Sequence, residues 1–202
     1  MTRRTKIAAF AALFFAPLLQ GCGDQLQGKL HELCTYTPDK QKFDPAVQID
    51  GRIAVIYKGS NFDPKTDNGC DVDGYAGGSR VEGIYFPEEM YARSPDTIDM
   101  LVVLELKKGN FLSTANYLRT KSVNWTVDVY SGQLAISLID YKTSTIIRNS
   151  VHEFAKIPEK IPFDDVKFGK PDGSTHNEYV IEPTIPEIKK ALVEFSDKVN
   201  PD

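Results

Sequence analysis

The chain has 202 residues, of which 41% are hydrophobic, 10% aromatic and 26% charged. Those fractions belong to a globular protein, not to a disordered, collagen-like or polytopic membrane chain. A net charge of −4 and a pI near 5.5 leave no broad basic surface for nucleic acid.

Arg3, Arg4 and Lys6 precede an apolar run of thirteen residues, 7–19, interrupted only by Pro17. A membrane-spanning helix needs about twenty such residues. A basic start, a short apolar stretch and small residues after it form the pattern of a secretory signal. The run ends in Leu19-Gln20-Gly21-Cys22. This segment resembles the lipobox of bacterial lipoproteins, with Leu three residues before the cut, a small residue just before it, and then the Cys. The resemblance covers residues 1–22 alone. It implies removal of residues 1–21 and a lipidated Cys22 that carries a diacylglyceryl group and an amide-linked acyl chain. Two or more chains give stable membrane attachment. Because Gly23, not Asp, follows Cys22, the resemblance further implies the outer membrane, with the protein facing the periplasm. The alternative is a soluble secreted protein in which Cys22 is an ordinary thiol. Removal of Arg3, Arg4 and Lys6 takes the net charge from −4 to −7, so the body should stand off anionic lipid.

Residues 22–45 read as the lipidated Cys and a tether, and 46–202 as a single α+β domain. The tether carries Leu26, Leu30 and Leu33, enough for one helical turn, and Cys34. Export to an oxidising compartment favours a Cys34–Cys70 disulfide over two separate buried thiols. Neither Cys has a CxxC partner or a His at ligand spacing.

Residues 51–58 alternate as a strand. Residues 59–83 break the pattern with acids and glycines and read as a long loop without secondary structure, and 83–87 as a short strand. Residues 97–107 form the strongest central strand, with Ile98, Met100, Val102, Leu104 and Leu106 on one face, ending at a Lys108-Gly109-Asn110 turn. Residues 123–130 follow, then a two-residue hairpin at Ser131-Gly132, a strand over 133–141, a turn at 142–144 and a strand over 145–154. Residues 155–183 read as loop with a short element at 163–168. Thr184 and Glu187 make a capping box for an amphipathic helix carrying Ile185, Ile188, Leu192, Phe195 and Val199. The predicted fold is α+β: an antiparallel meander sheet covered by a C-terminal amphipathic helix.

The stretch 63–74 invites a calcium reading through Asp63, Asp67, Asp71 and Asp73. The spacing fails an EF-hand, since the register that puts Gly74 at position 6 puts Gly69 at position 1 and Arg80 at position 12. Residues 74–80 lack the Lys-Ser/Thr ending of a phosphate loop. A disulfide-pinned loop presenting Tyr75 and Arg80 beside those four acids is the candidate contact surface. His31, His152 and His176 form no metal motif. No cofactor, no metal and no catalytic residue is called.

These features point to a membrane-anchored, non-enzymatic interaction or assembly module with an envelope protein partner. The alternatives are a small-molecule, glycan or metal binder using loop 59–83, and a hydrolase assembled from distant residues including His152 or His176.

Overall fold

The computed structural model describes residues 29–44, 47–73, 85–120, 123–159, 161 and 177–196. The signal segment with Cys22, the loop residues Tyr75 and Arg80, the element at 163–168, His176 and Val199 lie outside them.

Within the described residues seven strands form one sheet. They are β1 (Lys40–Gln41), β2 (Ile53–Lys58), β3 (Cys70–Asp73), β4 (Met100–Thr120), β5 (Val123–Asp140), β6 (Thr145–Phe154) and β7 (Asn177–Val180). Two α-helices accompany them: α1 (Leu30–Cys34) and α2 (Ile185–Phe195). The strand order is β1-β6-β5-β4-β2-β3, and β7 pairs with β5 beyond the end of β6. The fold is α+β, as the sequence predicts.

The sheet is mixed, which corrects the purely antiparallel expectation. The centre β4-β5-β6 is an antiparallel meander, but β2 runs parallel to β4, β1 to β6 and β7 to β5. Alternation fixes which face a residue occupies but carries no strand direction, so periodicity cannot reveal a parallel neighbour.

Two predicted turns lie inside strands. Lys108, Gly109 and Asn110 belong to β4, and Ser131 and Gly132 to β5. Gly132 serves close approach, not a turn: a Cβ there would overlap the Ile181 carbonyl oxygen, where β7 ends. A Cβ on Gly109 would overlap the Ser131 hydroxyl. β4 and β5 therefore form one long hairpin with register shifts at 108/111, 111/113 and 118/120. Three further corrections concern connections. Loop 59–83 contains β3, residues 85–86 make a bend instead of a strand, and β7 lies within 155–183.

The alternating apolar residues bury both sheet faces at the root of the hairpin. Ile53, Val55, Val102, Leu104, Leu134 and Ile136 pack beneath Ile188, Leu192 and Phe195 of α2. The capping box holds, with the Thr184 N–H donating to Glu187 Oε2 at 2.8 Å. Ile185 departs from the predicted apolar stripe and is exposed, because it sits in the first turn before the helix meets the sheet. The opposite face buries Ala54, Ile56, Leu101 and Ile139 against Leu33 and Cys34 of α1. The chain segment predicted as tether thus joins the folded body from Leu30 onward. A third, smaller cluster of Val127, Val129, Tyr179 and Ile181 supports the outer part of the hairpin.

Candidate functional site

The acidic loop is anchored by β2 and β3, which pair antiparallel with Lys58 opposite Cys70. The connection 59–69 between them closes on itself. Gly59 N–H donates to the Gly69 carbonyl at 2.7 Å, and Asp63 N–H to the Asn68 carbonyl at 2.9 Å. Asp63 spends both carboxylate oxygens on the loop: Oδ1 accepts from Lys65 N–H at 2.9 Å and Oδ2 from the Thr66 hydroxyl at 3.2 Å, an Asx turn. Asp67, at φ 57°, accepts from His31 Nδ1 at 2.8 Å. Its neighbour Gly69 has φ 78°, and a Cβ there would run into the Asn61 side chain.

The loop neck is tied twice to α1, by His31–Asp67 and by the Cys34–Cys70 disulfide. The bridge joins positions 36 apart in sequence, worth about 3–4 kcal/mol by loop-closure entropy. Lys58 lies 5.2 Å from the Phe62 ring centroid. Burial pulls the Lys58 ammonium below its ordinary pKa, with the Glu105 charge opposing.

The four predicted aspartates do not converge. Asp63 and Asp67 serve the loop, while Asp71 and Asp73 sit on β3 opposite Tyr57 and Val55. Among the described residues no group of three or more His, Cys, Asp or Glu side chains is placed to hold a metal.

His152, on β6, faces α2. Its Nε2 is 3.1 Å from the Ser150 hydroxyl, and its Nδ1 is 3.7 Å from Glu194 Oε2. That order, hydroxyl–imidazole–carboxylate, is the order a nucleophile needs, but its last link is longer than a hydrogen bond. Glu194 has 59% of its side chain exposed, so nothing fixes the imidazole as a triad carboxylate would. Among the described residues the contacts join β6 to α2 and complete no hydrogen-bonded triad.

Local patterning carries no sign of the junction where β6 and β7 meet end to end beside β5. Ser131, fully buried there, accepts from Asn110 N–H at 2.8 Å and donates to Glu153 Oε1 at 2.6 Å. Asn110 Nδ2 also donates to Glu153 Oε1, at 2.9 Å. As the two strands diverge they leave a cleft of about 530 Å³, lined by Phe154, Tyr179 and Ile181 with Lys156, Glu159 and Glu182 among its polar groups. Two of its carboxylates, Glu153 and Glu187, are engaged within the protein.

Two stretches of sheet edge have no strand beside them among the described residues. β2 covers β4 only from Met100 to Glu105, and β1 covers β6 only at Thr145 and Ile146. On β6 the residues Asn149, Val151 and Glu153 face solvent, and Val151 is 66% exposed. An apolar residue on the polar side of a predicted strand is a signal that the sequence does carry.

Compared with protein-family models, curated proteins and solved structures, the chain matches none.

Proposed function

We propose that this chain is a lipid-anchored protein of the bacterial cell envelope that works as an interaction or assembly module. The observation that carries the anchor is Leu19-Gln20-Gly21-Cys22, in register with Arg3, Arg4, Lys6 and the thirteen-residue apolar run. The Cys34–Cys70 disulfide supports the same address, since such bridges persist in oxidising compartments. The site of action is the periplasmic face of the outer membrane. Binding fits the folded body better than chemistry does: the acidic loop is bonded to itself, and the His152 contacts lack an orienting carboxylate.

Labelled palmitate followed through the wild type and Cys22→Ala tests the anchor. Label on the wild type, with loss of label and of membrane association in the variant, is the expected result. A Cys22→Ala protein that keeps both removes the lipoprotein reading. In-cell cross-linking followed by affinity recovery tests the module, which predicts one abundant cross-linked product. Its absence above background returns the chain to ligand binding, with metals and metabolites as the next screen.

A further inference from the structure

We propose that the outer edge of β6 beyond Ile147 is a self-pairing interface, where a second copy of this chain adds its own β6 antiparallel about a two-fold axis through Val151. The proposal deepens the interaction-module reading, rests on it, and names the partner.

Among the described residues the edge is available. Lys42 and Asp44 N–H groups donate to the Ile146 and Ile147 carbonyls, each at 2.9 Å, after which Val47 packs into the cluster beneath α2. The register shift at Leu138/Ile139 leaves Ile147 without a partner on β5. Counting alternately from its outward carbonyl, Asn149, Val151 and Glu153 direct their main-chain groups away from β5.

The edge is also less guarded than that of β4, its charges being Arg148 and Glu153 at either end of the stretch. Natural edge strands deter pairing with charged side chains, lysine above all, with prolines, with bulges or by being short. The open edge of β4 has Lys107, Lys108 and three register shifts. Residues 148–154 of β6 contain no Lys, Pro or Gly, no register shift falls among them, and an exposed Val151 stands at their middle.

The sequence of this edge complements itself. A two-fold axis through Val151 sets that side chain against its copy and Asn149 against Glu153. Ser131 and Asn110 hold Glu153 Oε1 in place, and the partner's Asn149 stands opposite this ordered carboxylate. On the other face Ser150 meets His152, and Arg148 meets Phe154. Moving the axis to Glu153 would oppose like charges, and moving it to Asn149 would collide with the chain already paired at 145–147. Among the registers centred on an outward-facing residue, the Val151 axis alone avoids both, with about six main-chain hydrogen bonds.

The test uses the full chain in its native membrane. In a hydrogen-bonded antiparallel pair the Cα atoms lie about 5.5 Å apart, within disulfide reach. Val151→Cys is therefore expected to give a reducible species of twice the mass, and Lys107→Cys on the guarded edge none. Val151→Lys should weaken self-association in detergent sedimentation by about tenfold or more while the circular dichroism spectrum stays unchanged. The proposal is overturned if Val151→Cys gives no doubled species, or if Lys107→Cys gives as much. A Val151→Cys thiol inert to maleimide in the monomer also overturns it, because a segment of the same chain then covers the edge. A cross-linked product of another mass overturns self-pairing yet leaves the interaction-module reading intact, so the two can fail separately.

Discussion

The two halves of the β4–β5 hairpin share one alternating pattern and differ in what covers them. At the root, Met100–Lys108 against Gly132–Asp140, the ribbon is the centre of the sheet, with α2 on one face and α1 on the other. Beyond Phe111 and Tyr130 it becomes an arm. β7 flanks the arm only at Val127–Tyr130, over a cluster with four buried residues. Phe111 is 55% exposed there, in edge-to-face contact with Tyr130 at 5.7 Å. Lys108 lies 3.7 Å from the Tyr130 ring centroid and 2.7 Å from Glu178. Burial pulls the Lys108 pKa down, but the hydrogen bond and charge of Glu178 outweigh it and the net direction is up. A two-stranded ribbon is marginal in water by itself. The arm therefore depends on its root and on β7, and the comparison separates strand length, which local sequence sets, from strand stability, which packing sets.

The sharpest way to break the comparison is a cavity at the root. Leu192→Ala, fully buried between α2 and the sheet, should cost about 2–5 kcal/mol. Val129→Ala, equally buried in the arm, should cost about 1–2 kcal/mol at about 0.8 kcal/mol per methylene. Denaturant melts of both check it, and equal losses would erase the distinction. Next in size, reduction of Cys34–Cys70 should cost about 3–4 kcal/mol and act on the root. In hydrogen exchange, amides of β2 and β3 should then lose protection before those of β7.

At the boundary between the halves, Gly132→Asn and Ser131→Ala should each cost about 1–3 kcal/mol. The first adds a side chain where the Ile181 carbonyl lies, and the second leaves the Asn110 N–H and the Glu153 carboxylate without their buried partner. Were Ser131-Gly132 a hairpin turn, Asn would be tolerated there, so a Gly132→Asn protein with unchanged Tm would restore the turn.

The smallest effect concerns Asp99, which closes the entrance to β2 and β4. Its carboxyl pKa is held down first by the Arg52 main-chain N–H, which donates at 2.8 Å, and then by Lys142. A carboxyl whose folded pKa is depressed contributes stability above its unfolded pKa, and that contribution disappears as pH falls through the folded value. The Tm of the wild type should therefore fall on acidification, and Asp99→Asn should flatten part of that fall. Parallel Tm-against-pH curves for the two proteins would refute this contribution.

Much of the fold was legible locally. Residues 53–58 and 145–154, the turn at 142–144 and the capping box at Thr184–Glu187 each follow from side-chain period or end chemistry. The paired cysteines follow from the expected compartment. The acidic loop misled, because its glycines and aspartates describe a loop equally well whether its carboxylates face a ligand or, as Asp63 does, its own backbone. Gly109 and Gly132 misled in the opposite sense, since glycine marks both turns and close approaches.

The sequence by itself determined face and the start of α2, because alternation and capping act between residues close in the chain. Strand direction, the unbroken β4–β5 hairpin, the end-to-end meeting of β6 and β7 and the exposure of Val151 were decided only by tertiary structure. Each depends on which distant segment arrives beside a strand, and hydrogen bonds between segments leave no periodic trace in either of them.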